Sequence, residues 1–118
     1  MTISIWHNPR CSKSRATLSL LQEQGYDPEI ILYLQTPPDT EQINHAIKLL
    51  GMNSARELMR KGEAEYKENS LGNTELSEAE LVSALEKYPG LIERPIVFAN
   101  NKAAMGRPPE SVLELWAS

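Results

Sequence analysis

Two short apolar runs separated by one helical segment constrain the fold of this 118-residue chain more than any other feature. The first run, Ile3 to Trp6, is typical of a strand, and a helical pattern follows it and stops at Gly25. The second run, Glu29 to Leu34, is again rich in β-branched and aliphatic residues. A strand that returns after one helix takes a right-handed crossover and lies parallel to the first. The sequence therefore predicts a βαβ unit at the start of the chain.

The middle of the chain, from Thr36 to Pro89, has a helical pattern throughout. Apolar residues recur there at helical spacing, and polar residues that can cap a helix precede them. We expect three helices or helical turns in this region. Their predicted N-terminal caps are Asp39, the capping box of Ser54 with Glu57, and the capping box of Ser77 with Glu80.

Two further short strands are predicted near the end of the chain. The runs Ile96–Ala99 and Lys102–Met105 flank Asn100-Asn101, and two residues that tolerate positive φ between short strands favour a tight hairpin. A last helix is expected after Pro109. The element order is thus βαβ, a helical insertion at about residues 37–89, and ββα. This order is that of a thioredoxin-like α/β fold with a mixed four-stranded sheet, in a single domain over residues 1–118, although other α/β folds can share it.

Charge and hydropathy exclude several classes of protein. The formal net charge of −4 argues against a nucleic-acid-binding surface, which concentrates Lys and Arg on one face. No apolar run approaches the ~20 residues that span a bilayer, and the residues after Met1 lack the pattern of a signal peptide. We therefore expect a cytoplasmic protein that binds neither nucleic acid nor a membrane. A monomer is also expected.

The chain contains one cysteine, Cys11, in the loop between the first strand and the first helix. If that helix begins at Ser12, the sulfur lies at its N-cap, where free amides and the helix dipole favour an anion. Arg15 follows one turn later and can add a fixed positive charge, and His7, at the end of the first strand, can lie beside the loop and stabilise the ionised sulfur. These neighbours predict a lowered thiol pKa and a reactive cysteine. The alternative is an inert buried thiol.

The same loop is suited to holding a tetrahedral oxyanion. The amides of residues 12–15, including that of Lys13, converge there with the hydroxyls of Ser12 and Ser14 and with Arg15. Ser14 stands where a C-x-x-C motif would have its second cysteine, so an external thiol must complete any turnover. His7 and Cys11 have no third metal ligand at a suitable spacing, and no metal site is expected.

Four motifs are spread across most of the chain. They are the segment His7 to Arg15, Arg60 in Glu57-Leu58-Met59-Arg60-Lys61, the stretch Glu93-Arg94-Pro95-Ile96-Val97, and Gly106-Arg107-Pro108-Pro109-Glu110. Together they resemble the ArsC family of glutaredoxin-coupled arsenate reductases, and in particular its small YfgD-like branch. Their spread along the chain makes chance agreement improbable.

The resemblance implies an activity and a set of site residues. Cys11 would be the nucleophile that forms a covalent adduct with arsenate, supported by His7, Arg15 and the Ser14 hydroxyl. Glutathione would then act as co-substrate and glutaredoxin as reductant, in a pathway of arsenic resistance, with no bound cofactor. The arginines that would hold the oxyanion are Arg60, Arg94 and Arg107, and the residue that would follow a cis peptide bond is Pro95.

Two other functions are compatible with the same fold. A thiol-disulfide oxidoreductase would act on other thiol substrates and turn over arsenate only feebly. A regulator like the Spx proteins would bind RNA polymerase, but such redox switches usually carry a C-x-x-C motif, and Ser14 breaks that pattern.

Overall fold

The structure is a computed structural model that describes residues 2–116. The chain forms two compact units. The sheet unit is built from both ends of the chain, up to Thr36 and from Arg94 onward, and the helical unit is Pro37–Glu93. The helical unit corresponds to the predicted insertion at residues 37–89, extended by four residues at its C-terminal end.

The sheet unit contains a mixed four-stranded sheet in the order β2-β1-β3-β4. β1 is parallel to β2 and antiparallel to β3, and β3 is antiparallel to β4. The predicted thioredoxin-like arrangement of βαβ followed by ββα is therefore confirmed. Its elements are β1 (Ser4–Trp6), α1 (Ser12–Glu23), β2 (Glu29–Ile31), β3 (Ile96–Ala99), β4 (Lys102–Met105) and a 3₁₀ helix (Pro109–Trp116).

Local signals in the sequence set several of these boundaries. Gly25 has a φ of +89°, a conformation that glycine adopts at little cost, and the chain leaves α1 there. Asn100 and Asn101 both have positive φ (53° and 59°), so the predicted tight hairpin between β3 and β4 is confirmed.

Two elements differ from the prediction. β2 was predicted to continue to Leu34 but ends at Ile31, because the amides of Gln35 and Thr36 both bond the carbonyl of Leu32 and turn the chain. The last helix is a 3₁₀ helix, and it buries Val112 and Leu115. Apolar composition alone does not distinguish a strand residue from an apolar turn residue, or α from 3₁₀ geometry.

The core of the sheet unit lies between the sheet, α1 and the final 3₁₀ helix. Ile5, Leu21 and Val97 are completely buried there, and Tyr26 stacks on Trp116 with ring centroids 4.1 Å apart. Apolar burial on this scale stabilises a small unit by roughly 25 cal/mol per Å² removed from water. The core therefore fixes the position of α1 against the sheet, and with it the loop that precedes α1.

The helical unit contains three α-helices, α2 (Thr40–Leu49), α3 (Ala64–Glu68) and α4 (Glu78–Lys87), within the described part of the chain. Two 3₁₀ turns, Ala55–Leu58 and Pro89–Leu91, complete it. All three predicted caps are confirmed, since α2, the first 3₁₀ turn and α4 each begin with a capping box in which both hydrogen bonds are present. α3 is short and buries no residue, so it left no apolar periodicity to detect in the sequence. No helix within residues 2–116 has both the length and the apolar character needed to cross a membrane.

Candidate active site

Strand register brings three distant segments to one end of the sheet, where β1 and β4 end and β3 begins. Trp6, the last residue of β1, pairs with Ile96 at the start of β3, and Ile96 pairs with Met105 at the end of β4. The loop after β1, the segment before β3 and the segment after β4 therefore meet at this end of the sheet. These segments carry Cys11, Arg94 and Arg107.

The loop after β1 is held by its own hydrogen bonds. The amide of Cys11 donates to the carbonyl of Asn8 (3.0 Å), and the amide of Arg10 donates to the Asn8 side-chain oxygen (3.0 Å). Cys11 is the N-cap residue of α1, as predicted, with an extended backbone and no capping bond from its side chain. Its sulfur is therefore available to the amides of the first helical turn.

The surroundings of Cys11 favour the thiolate. Burial raises the pKa of the thiol, but hydrogen bonds from the Ser14 amide, the Arg94 guanidinium and the Lys13 amide lower it, as does the charge of Arg94. The net effect is a pKa below the ordinary value for cysteine. Nη2 of Arg107 also lies 4.0 Å from the sulfur. Two guanidinium groups thus face one partly exposed sulfur.

Arg94 and Arg107 are also linked to each other. Nε of Arg107 donates to the carbonyl of Arg94 (2.8 Å), which fixes the plane of the Arg107 guanidinium. Nε of Arg94 is buried, and no group within residues 2–116 accepts a hydrogen bond from it. The Arg94–Pro95 bond, predicted to be cis, is cis in the structure, and so is the Arg107–Pro108 bond, which was not predicted.

His7 and Ser14 form a buried pair behind the sulfur. Nδ1 of His7 lies 2.7 Å from the Ser14 hydroxyl oxygen, which also accepts a hydrogen bond from the Asn8 amide (3.0 Å). Burial, followed by the charge of Arg15, lowers the pKa of His7, so the imidazole is neutral near pH 7. The neutral His7 fixes the first turn of α1 through Ser14. Its predicted stabilisation of the ionised sulfur stays a prediction.

Arg15 contacts the loop that precedes α1. Its guanidinium donates to the carbonyl of Pro9 (2.8 Å), so it closes the loop onto the start of α1. Its predicted effect on the pKa of Cys11 stays a prediction. Ser12 and Lys13 are exposed in the first turn of α1, next to the sulfur.

Arg60 belongs to the helical unit, at the end of its first 3₁₀ turn. Its Nη1 lies 2.9 Å from Glu63, and its Nε lies 3.4 Å from Glu93. Its amide donates to the carbonyl of Leu91 (2.7 Å), beside the bridge between Met59 and Ile92. Both carboxylates orient this guanidinium, and its predicted contact with an oxyanion stays a prediction.

Three residues that shape the site were missed by sequence reasoning. Asn8 supplies two acceptors and one donor to the loop, and an Asn before proline is a turn signal that could have indicated it. Thr17 is buried, and its hydroxyl donates to the carbonyl of Lys13 (2.8 Å). Gly106 lies so close to Thr17 and Pro95 that a Cβ there would collide with both, and nothing in the local sequence indicates this long-range contact.

The site has the composition of an anion-binding nucleophile site. A thiolate, two helix-start amides and two guanidinium groups are suited to attack on an oxyanion and to neutralisation of its charge. Within residues 2–116, no group of three His, Cys, Asp or Glu side chains could hold a metal ion.

Known proteins resemble the chain over almost its whole length. A sequence profile described as the ArsC family matches residues 6–115. YfgD of Escherichia coli K12, an uncharacterized protein, is 58% identical over 113 residues, which cover 96% of this chain and 95% of YfgD. An arsenate reductase of Neisseria meningitidis Z2491 is 51% identical over 110 residues, covering 93% of this chain and 94% of that protein. The solved structure of an arsenate reductase from Vibrio cholerae is 50% identical and superposes with a TM-score of 0.95, covering 98% of each chain.

Proposed function

The chain belongs to the ArsC family, and from this we propose that it is an arsenate reductase that forms a covalent adduct on Cys11. The observation that carries the proposal is the contact of one sulfur with both Arg94 and Arg107 at the start of α1. The arsenate reductases of N. meningitidis and V. cholerae, at 51% and 50% identity, support the choice of substrate.

The first step uses the charge distribution of the site. The Cys11 thiolate attacks the arsenic atom of arsenate, an As–S bond forms, and one arsenate oxygen leaves as water after protonation. Arg94 and Arg107 neutralise the remaining oxygens, because guanidinium groups match the geometry of oxyanions in pairs. The Ser14 and Lys13 amides hold the sulfur in position during the attack. Arg60 is proposed as a further arginine for the oxyanion, on the strength of the family resemblance.

The second step requires electrons from another molecule, because the chain has one cysteine. A glutathione thiolate attacks the Cys11 sulfur, an S–S bond forms, and the As–S bond breaks. The electron pair of that bond stays on arsenic, which leaves as arsenite. A glutaredoxin thiol then attacks the mixed disulfide and releases Cys11 as a thiolate. Chemistry of this kind suits a reducing compartment, so we also propose that the protein acts in the cytoplasm.

A reconstituted turnover assay tests the proposal. Arsenite release is measured with arsenate, glutathione and glutaredoxin for the wild type and for three variants. Cys11→Ser should abolish release, and Arg94→Ala should lower it by roughly 10²-fold, the usual effect of losing one preorganised donor to a developing anion. Lys102→Gln is the control, since Lys102 is exposed at the hairpin end of β4.

Two results would overturn the proposal. Arsenite release that persists in Cys11→Ser would exclude the adduct. Rapid reduction of a mixed disulfide without measurable arsenite release would favour a thiol-disulfide oxidoreductase of the same fold.

A further inference from the structure

Charge is distributed unequally between the two units of this acidic chain. The helical unit has six basic and eleven acidic residues, whereas the sheet unit has six basic and five acidic residues. Five of the six basic residues of the sheet unit lie in the three segments that meet at Cys11. They are Arg10, Lys13, Arg15, Arg94 and Arg107. Positive charge is therefore concentrated at the end of the sheet that carries Cys11.

Three of these residues form the outer part of the cluster. Arg10, Lys13 and Arg15 are exposed, and we call them the basic rim. Within residues 2–116, no carboxylate lies within ion-pairing distance of any of them. Arg15 is held against the loop by its bond to the Pro9 carbonyl. The basic rim thus presents uncompensated charge to solvent around a partly exposed sulfur.

Acidic residues of the sheet unit lie mostly away from this end of the sheet. The first acidic residue of the chain is Glu23, at the C-terminal end of α1, whereas the sulfur lies at its N-terminal end. Glu29 pairs with Ser4 at the start of β1, which is the opposite end of the strands. Asp27 lies two residues before Glu29. Glu110 and Glu114 are exposed on the final 3₁₀ helix. Of the acidic residues of the sheet unit, only Glu110, three residues after Arg107, belongs to a segment that meets at Cys11, so basic residues outnumber acidic ones around the sulfur within this unit.

We propose that the basic rim is a recognition surface for small thiols and disulfides that carry carboxylates, of which glutathione is the natural example. Arg94 and Arg107 face the sulfur itself, whereas Arg10 and Lys13 face the solvent through which the reductant arrives. The rim raises the rate of encounter with an anionic partner and lowers it for a cationic one. This inference rests on the proposed role of Cys11 as a nucleophile but does not depend on arsenate.

Thiol-disulfide exchange measures this selectivity directly. The Cys11 thiolate attacks a symmetrical disulfide, one S–S bond forms, one breaks, and a thiolate of the small molecule leaves. The reduction of the Cys11 mixed disulfide by that thiol passes through the same transition state in reverse. Attraction between the rim and the charges of the small molecule in that transition state therefore contributes to the rates in both directions.

The experiment compares three disulfides of different charge on the reduced protein. They are oxidised glutathione, which is anionic, hydroxyethyl disulfide, which is neutral, and cystamine, which is cationic. Second-order rates are followed by mass spectrometry, and each charged probe is compared with the neutral one. Each rate is divided by the rate of the same disulfide with free cysteine, which corrects for intrinsic reactivity. At low salt we expect the corrected rate of oxidised glutathione to be about tenfold higher than that of cystamine. The ratio should approach one at 1 M salt, where the Debye length is about 3 Å.

A substitution on the rim should act in opposite directions on the two charged probes. Arg10→Gln should slow the anionic probe and accelerate the cationic one by about twofold each, since one charge about 10 Å away in water contributes a factor of this order. Its rate with hydroxyethyl disulfide should stay unchanged. Lys102→Gln removes the same charge from the same unit at the other end of β4 and should change no ratio.

The outcomes separate this inference from the proposed function. No reaction of Cys11 with the neutral disulfide would overturn the proposed nucleophile. A normal neutral rate with equal rates for the two charged probes would overturn the rim alone. Equal slowing of all three probes by Arg10→Gln would also overturn it, because the residue would then act on the loop and not on the charge of the partner.

Discussion

Gly106 should be the position in the sheet unit that least tolerates a methyl group. A Cβ built on it would overlap the Thr17 hydroxyl, approach Cγ of Pro95 at 2.7 Å and approach Cγ2 of Thr17 at 3.1 Å, where ordinary contacts are 3.4–4 Å. The Gly106 amide donates to the carbonyl of Pro95 (2.9 Å), so the backbone cannot retreat without losing this bond. The Gly106→Ala variant must therefore displace α1, the Pro95 segment, or both.

The expected cost follows from overpacking. Forcing one methyl group into a filled site typically costs about 1–3 kcal/mol. For a chain of this size, each kcal/mol lowers the melting temperature by about 4 °C, so thermal unfolding followed by circular dichroism should show a decrease of about 4–12 °C. Because Arg107 follows directly and Thr17 belongs to α1, alkylation of Cys11 should also change in the folded variant.

Two further variants make this prediction specific. Gly62→Ala is the matched control, since its Cβ would meet nothing within 4 Å, and it should leave the melting temperature within about 2 °C of the wild type. Thr17→Ala removes both Thr17 atoms that the new Cβ would meet. The double variant Gly106→Ala/Thr17→Ala should thus lose less stability than the two single effects added together. Equal stability of Gly106→Ala and Gly62→Ala, or strict additivity with Thr17→Ala, would refute the reasoning.

Three other predictions concern the buried groups behind the sulfur and the start of α2. The lowered pKa of His7 means that the folded state accommodates the neutral imidazole better than the charged one. The free energy of unfolding is therefore highest above the ordinary pKa of 6.5, and it decreases as pH falls from 6.5 through the lower pKa of the folded state. Urea denaturation at pH 7.5 and 5.5 should therefore show a smaller loss of stability in His7→Gln than in the wild type, and an equal loss would contradict a buried neutral imidazole. Ser14→Ala removes the hydroxyl that bonds both His7 and the Asn8 amide and should cost about 1–3 kcal/mol in the same assay, whereas Ser19→Ala, on the exposed side of α1, should cost less than about 0.5 kcal/mol. Asp39→Ala removes the side-chain half of the α2 capping box and should cost about 1 kcal/mol, and an unchanged denaturation midpoint would show that this cap contributes nothing.

The features that were predictable from sequence are local ones. Capping boxes depend on residues three apart, and the Asn100-Asn101 hairpin depends on two adjacent residues, so their physics is visible in a short window. The position of Cys11 at the N-cap of α1 belongs to the same class. The right-handed crossover then fixed the parallel pairing of β1 and β2.

The features that were not predictable depend on distant parts of the chain. The approach of Arg94 and Arg107 to Cys11 follows from the register of β3 between β1 and β4, and their choice as site residues came from the family resemblance. The neutral state of His7 depends on its burial, which a sequence window does not reveal. The close approach at Gly106 likewise involves residues almost ninety positions apart.

The most direct test of the account is the pH dependence of Cys11 alkylation by iodoacetamide, a neutral reagent. We expect a midpoint below that of free cysteine, which is about 8.5. Burial raises the pKa of Cys11, but the Ser14 and Lys13 amides and Arg94 together lower it by more. Arg94→Gln should raise the midpoint, and arsenate should slow the labelling of the wild type by occupying the space beside the sulfur. A wild-type midpoint at or above that of free cysteine, unchanged in Arg94→Gln, would contradict the account.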